Sequence, residues 1–213
     1  MSGRAAQAAL RVGAATACAV DLCLQARASQ EAIRLTRLGA RAGLVARLTG
    51  LERTVANRLY RQLHGKPSPP GQLPFADTWY LKCDQRMAQA TLVWQLSRRF
   101  VQSPATPARR LIDVYECYLW LVAEPLLDIM RVAFVPNLVA LQEWEERTCG
   151  QCGQVYVTPR GSVGNTCWDC RLYLRHRCRH CGAPLTVRTT GRHREVCSAC
   201  QRSRHRQAFR TWP

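Results

Sequence analysis

Nowhere in the 213 residues is there an apolar run long enough to cross a membrane. The most hydrophobic stretch, Leu111 to Leu141, is interrupted by Asp113, Glu116, Glu124, Asp128 and Arg131 before any segment reaches spanning length, so it is expected to be core or subunit interface. A secretory leader is not apparent either. Arg4 and Arg11 precede a short Ala-rich run from Val12 to Val20, but that run continues through Asp21 into helix-like sequence. Nucleophile elbow, phosphate-binding glycine loop and His-Glu-x-x-His are all missing, which leaves an enzymatic reading without its machinery. Lysine is scarce, with Lys66 and Lys82 the only two. Acidic residues number 14 against 31 basic ones, for a formal charge of +17. An Arg-for-Lys preference can reflect a GC-rich genome, but a net excess of positive charge cannot.

Cysteine, by contrast, is abundant and patterned. Eight of the twelve form four Cys-x-x-Cys pairs: Cys149/Cys152, Cys167/Cys170, Cys178/Cys181 and Cys197/Cys200. One x-x spacing lets two thiolates converge on one cation, and two pairs about 15 residues apart complete the tetrahedral thiolate set that zinc favours. The segment is short of Leu, Ile and Phe, so metal binding would supply the folding free energy that a small core cannot. A disulfide framework belongs to secreted chains, thioredoxin-type chemistry needs one pair and not four in series, and paired x-x spacing with hairpin-like sequence between favours zinc over an iron–sulfur cluster. Two zinc ions per chain are therefore expected. The simplest assignment is sequential, Cys149, Cys152, Cys167 and Cys170 on one ion and Cys178, Cys181, Cys197 and Cys200 on the other, with an interleaved cross-brace as the alternative. Gly153 and Gly182 follow the second cysteine of a pair, where positive φ lets amides point at sulfur. Val155–Val157 and Leu185–Val187 read as short strands. His176, His180, His193 and His205 are possible substitute ligands, though eight thiolates suffice. Cys18, Cys23, Cys83 and Cys117 lie among apolar neighbours and read as ordinary buried thiols.

Charge gives the second signal. From Arg147 to Pro213 there are thirteen arginines against Asp169 and Glu195. This density is a nucleic-acid footprint, since arginine neutralises phosphate, releases counterions and reads guanine edges. Arg202, Arg204 and Arg206 in the tail after Cys200 are candidate DNA contacts, on a short basic helix or an unstructured arm.

Residues 1–146 read as a helical domain for partner and DNA, and 147–213 as a basic zinc-binding region: first site 149–170, second site 178–200, basic tail 201–213. The expected fold class is mainly α, with a zinc-ribbon-like C-terminal region of short β-hairpins. Helical spacing recurs at Leu35, Leu38, Ala42 and Val45, at Leu92, Leu96 and Phe100, and at Val114, Tyr118, Leu121 and Val122. Breaks fall at Gly65–Gly71 and Ser103–Pro107. From Ala46 through Gly50-Leu51 to Val55 and Leu59 the spacing approximates a helix-turn-helix, with Arg53, Asn57, Arg58 and Arg61 decorating its second helix. Val55 sits one position early for that motif, and a charged helical hairpin explains the same letters.

Leu35-Thr36-Arg37-Leu38-Gly39-Ala40-Arg41, Leu59-Tyr60-Arg61-Gln62-Leu63-His64-Gly65 and Pro69-Pro70-Gly71-Gln72-Leu73-Pro74-Phe75, followed by Trp79, together resemble the FlhC family of bacterial flagellar transcriptional regulators. The resemblance runs from about Leu35 to Cys170 and includes the four-cysteine zinc site. It implies a cytoplasmic, non-enzymatic transcription activator that joins an FlhD-type partner in a hetero-oligomer, a heterohexamer by resemblance. Such a complex binds double-stranded promoter DNA upstream of flagellar operons and engages RNA polymerase. Cys178, Cys181, Cys197, Cys200 and the tail lie beyond the family's single zinc site, so a different partner or a non-flagellar regulon is the alternative. A third reading is a zinc-ribbon protein-interaction module. A cross-braced module of that kind would expose an apolar groove beside its ions, where this sequence offers mainly Arg and His.

Overall fold

The computed structural model describes residues 21–70, 76–185 and 195–202. The chain divides into two compact units, Met1–Phe75 with Leu96–Phe134, and Ala76–Gln95 with Val135–Pro213.

The first unit is helical. Helix α1 occupies residues 21–37, followed by α2 (Ala42–Thr49), α3 (Arg53–His64), the C-terminal part of α4 (Asp84–Val101), α5 (Pro107–Leu121) and the start of α6 (Ile129–Ala140). Its core gathers Ala32, Leu35, Leu44, Val45, Ala56, Tyr60, Ile112 and Met130, with Leu38 and Leu59 packed against it. The Leu35-to-Val45 spacing does not run through one helix. Gly39, at φ 91°, breaks it between α1 and α2, and Leu35, Ala42 and Val45 are nevertheless all buried. Thr106 caps α5. Its Oγ1 accepts from the Arg109 amide at 3.0 Å and donates to Glu31 at 2.8 Å, so one hydroxyl both starts α5 and ties it to α1.

Helices α2 and α3 form the hairpin anticipated from spacing. Gly50 closes α2 in the left-handed region at φ 73°, its amide donating to the Ala46 carbonyl, and α3 starts three residues later. The packing residues differ from those expected. Val55 is 44 % exposed, and Ala56 and Tyr60 are buried in its place. Val55 is one position early for the buried face of a 3.6-residue helix, so it turns outward. Leu121, read with the apolar face of α5, is likewise exposed at the end of that helix.

The second unit is built on an antiparallel hairpin of β1 (Trp144–Thr148) and β2 (Val155–Pro159), in register from Trp144 opposite Pro159 to Thr148 opposite Val155. Helix α4 lies along β2. Gln95 Nε2 donates to the Val155 carbonyl at 2.7 Å, and Trp94 Nε1 donates to Glu146 Oε1 at 2.6 Å. Trp144 is the anchor: fully buried, it packs edge-on to Tyr80 at 5.2 Å and donates Nε1–H to Asp77 at 3.0 Å. Helix α7 (Trp168–Leu174) follows, and a helical turn at 198–202 ends the described chain. The architecture is thus mainly α with a cysteine-rich, ribbon-like C-terminal part. Of the two expected strands, Val155–Val157 lies within β2, whereas Thr186 and Val187 fall outside the described residues.

Candidate functional site

The sulfurs of Cys149, Cys152, Cys167 and Cys170 lie within 4.8 Å of one another, and those of Cys178, Cys181, Cys197 and Cys200 form a second such group. Each set has the donor type and spread of a tetrahedral thiolate site able to hold one metal ion. The grouping is sequential along the chain. Of the histidines open as substitute ligands, His193 and His205 lie outside the described residues, and His176 and His180 are exposed and belong to neither cluster.

Local folding explains how the first set converges. Thr148 ends β1, and Cys149 to Gln154 form the turn into β2, closed by Cys149 N–H on the Gln154 carbonyl at 2.9 Å. Gly153, at φ 73°, lets its amide reach back to the Cys149 carbonyl at 2.9 Å. That conformation favours glycine and folds Cys152 toward Cys149. The other pair lies where α7 begins. Cys167 is the N-cap, its sulfur accepting from the Cys170 amide at 3.4 Å, and Cys170 occupies the first turn. Amides of Cys167 and Gln151 also point at the Cys149 sulfur, at 3.2 and 3.4 Å. Behind the sulfurs sit Tyr156 and Trp168, the latter donating Nε1–H to the Val157 carbonyl at 2.8 Å. Arg147 clamps the following loop, reaching the carbonyls of Ser162 at 2.5 Å and Gly164 at 3.1 Å while pairing with Glu145.

These surroundings bias the thiols before any ion arrives. Burial pushes the Cys149 thiol up, but the amides of Cys167, Cys152 and Gln151 outweigh it and bring its pKa down to about 6. Burial raises both Cys167 and Cys170, the latter reinforced by the neighbouring sulfurs of Cys152 and Cys167. In the second set, the amides of Cys197 and Cys181 hold Cys178 at about 6, while the sulfurs of Cys181 and Cys197 push Cys200 up to about 12. At pH 7 Cys149 is therefore a thiolate while Cys167 and Cys170 are thiols. Because a metal needs thiolates, loading the first site should expel at least two protons, and acidification should reverse it, steeply once pH falls below about 6 where Cys149 also protonates. Stopped-flow zinc addition with a pH indicator in weak buffer measures this, and proton-neutral loading would contradict it.

The candidate DNA residues divide by position. Arg53, Asn57, Arg58 and Arg61 are all exposed on α3, and none of the described ion pairs involves their guanidinium groups. Arg202 is exposed in the turn after Cys200, while Arg204 and Arg206 lie outside the described residues. Of the thiols expected to be buried, Cys23 and Cys83 are exposed and Cys117 is half-buried; Cys18 lies outside the described residues. Cys23 sits where α1 is exposed on every side, so apolar neighbours in sequence gave it no cover. Sequence reasoning also missed β1, whose Glu-Glu-Arg-Thr carries no strand pattern, and the loop from Ser162 to Thr166. That loop's Asn165 carbonyl accepts from the Gly150 amide at 2.7 Å, and its side chain occupies the space a Cβ at Gly150 would need.

A helical unit bearing a two-helix hairpin and a cysteine-rich unit whose thiol clusters could each hold a metal ion are the two parts that any family assignment must account for. The family model for the flagellar transcriptional activator FlhC matches residues 20–175. The chain belongs to the FlhC family. Among curated relatives, the flagellar transcriptional regulator FlhC of Sodalis glossinidius (strain morsitans) is 29 % identical over 141 residues, covering 63 % of this chain and 71 % of that protein. The FlhC of Pectobacterium carotovorum is 27 % identical over 152 residues, covering 70 % and 79 %, and that of Variovorax paradoxus (strain S110) is 28 % identical over 137 residues, covering 62 % and 68 %. The family match contains the first cysteine set and ends before the second. Among the described residues no helix is long and apolar enough to cross a membrane.

Proposed function

We propose that the chain is a cytoplasmic, DNA-binding transcriptional activator of flagellar operons that works in a hetero-oligomer with an FlhD-type partner and holds two structural zinc ions. Family membership carries this reading. The thiolate sets support zinc, since four sulfurs around one ion leave no open position for catalysis and match that ion's tetrahedral preference.

Two surfaces of the helical unit fit different partners. On α3, Arg53, Asn57, Arg58 and Arg61 offer unneutralised guanidinium groups and an amide on one exposed helix, a composition suited to phosphate and base edges. At the end of α5 the chemistry changes. Trp120 is 86 % exposed, Leu119 and Leu121 flank it, and Tyr118 draws Leu126 alongside by accepting its amide at 2.9 Å. Glu116, Glu124 and Asp128 lie close by in sequence, which suits a protein surface and repels phosphate. This patch is the best candidate for the FlhD-type subunit.

The DNA part of the reading is tested by salt. Affinity of the full chain with its partner for duplex DNA should fall steeply as salt rises. Replacing Arg202, Arg204 and Arg206 together by Ala should weaken binding to all sequences and flatten the log–log slope by up to about three. A wild-type affinity indifferent to salt would overturn the DNA reading, and an unchanged slope in the variant would remove the tail from the interface.

A further inference from the structure

The two cysteine modules share one local design. Gly153 and Gly182 both adopt φ near 70° and return their amides to Cys149 and Cys178 carbonyls at 2.9 Å. Cys149 N–H reaches Gln154 and Cys178 N–H reaches Ala183, at 2.9 and 2.8 Å. The Cys170 and Cys200 amides each donate to the sulfur of the preceding cysteine at 3.4 Å. The sulfurs of Cys152 and Cys167 stand 3.7 Å apart, those of Cys181 and Cys197 3.6 Å. The second module is thus a structural copy of the first, in a stretch that the family match does not reach.

What surrounds the two copies differs. The first has two buried sulfurs, a small core of Tyr156 and Trp168, five paired residues in each strand, and hydrogen bonds from Trp94 and Gln95 of α4. In the second, Cys178 is the one buried cysteine, and among the described residues the pairing is an isolated bridge between Arg177 and Pro184. Its polar contacts include Arg177 to the Gly182 carbonyl at 3.2 Å, the Arg179 amide to the Glu195 carbonyl at 2.9 Å, and an exposed pair, Arg179 with Glu195, at 3.2 Å, while the Arg177 amide reaches the Leu174 carbonyl of α7 at 3.1 Å. An open cleft of about 840 Å³ is lined by residues of both modules, among them Asn165, Trp168, Arg179 and Glu195. Exposed ion pairs contribute little, and the described residues of this stretch gather no apolar core of their own to offset chain entropy.

We infer that Cys178, Cys181, Cys197 and Cys200 form a metal site whose ion holds the described residues 176–185 and 195–202 together, so that this ion exchanges and those residues open while the first site stays intact. The inference rests on the two-ion reading above. Its consequence is specific. The helical turn at 198–202 starts at Cys197 and carries Arg202, so occupancy of the second site decides whether the basic tail springs from a fixed point.

The test uses the full chain, reduced and loaded with zinc, challenged with EDTA. Native mass spectrometry counts the ions, and amide hydrogen exchange locates the loss. One ion should leave at least about tenfold faster than the other, because local opening of an uncored module precedes opening of a cored one. Amides of Cys178, Gly182 and Cys200 should lose protection in that phase, with those of Cys149, Gly153 and Cys170 protected until the second ion departs. Simultaneous loss, or first loss at Cys149, overturns the inference while leaving two ions per chain standing. A loaded chain that never holds more than one ion overturns the two-ion reading, and this inference with it.

Discussion

Replacing Cys149 by Ser is expected to abolish metal binding at the first site and unfold the β-hairpin with α7, while α1, α2, α3 and α5 retain their fold. Cys149 is a tightly held member of the first candidate ligand set. It is buried, it closes the turn between β1 and β2, and its sulfur accepts amides from Cys167 and Gln151. A serine oxygen is smaller and harder than a thiolate and does not ionise near neutral pH, so a tetrahedral site loses far more than one quarter of its affinity. Structural zinc contributes roughly 10–16 kcal/mol in small peptides, against a total stability of about 5–15 kcal/mol for a domain. The core of Tyr156 and Trp168 is too small to replace it. Zinc content, Trp fluorescence and protease resistance of the variant report the outcome together. Native resistance after the first-site ion is lost would show that the hairpin is held by packing and not by metal, and full zinc content would contradict the assignment of Cys149 as a ligand.

The second large effect is expected on α3. Changing Arg53, Arg58 and Arg61 together to Ala should cut the affinity of the partnered complex for promoter DNA by roughly two orders of magnitude or more, given about 1–3 kcal/mol for each side chain that reads a base and about one unit of salt slope for each phosphate left unneutralised. Stability should barely move. All three side chains are exposed, helix α3 is fixed by Ala56 and Tyr60, and Ala is a better helix former than Arg. Circular dichroism melting alongside fluorescence anisotropy separates these effects. An intact fold with unchanged affinity would move the DNA surface off the hairpin.

How much of this was legible from sequence depended on whether the signal was covalent spacing or three-dimensional cover. The cysteine pairs, Gly153 and Gly182 could be read because the x-x spacing and the positive φ are local requirements that tertiary context does not alter. The breaks that begin at Gly65 and at Ser103 were legible for the same reason. Val55 was legible only in part: its place one position early was visible, whereas the burial of Ala56 and Tyr60 in its stead depended on how α2 packs. Cys23 was misread because apolar neighbours bury a thiol only when something else packs against that helix. The strand of Trp144–Thr148 was hidden, since its Glu-Glu-Arg sequence pairs through backbone and its α4 partner, Trp94 on Glu146, lies more than forty positions earlier. The division of the fold was hidden likewise: residues 76–95, which continue the helical pattern, group with the cysteine-rich part through Tyr80, Trp94 and Gln95.

The central claim is that this FlhC-family chain reads promoter DNA as one subunit of a complex. Co-expression of the full chain with an FlhD-type protein from the same genome, followed by footprinting of the purified material on flagellar promoter DNA, tests it most directly. A stable hetero-oligomer that protects one discrete site, and loses it on scrambled sequence, is the expected result. A chain that purifies without the partner, or a complex that covers promoter and scrambled DNA equally, would contradict it.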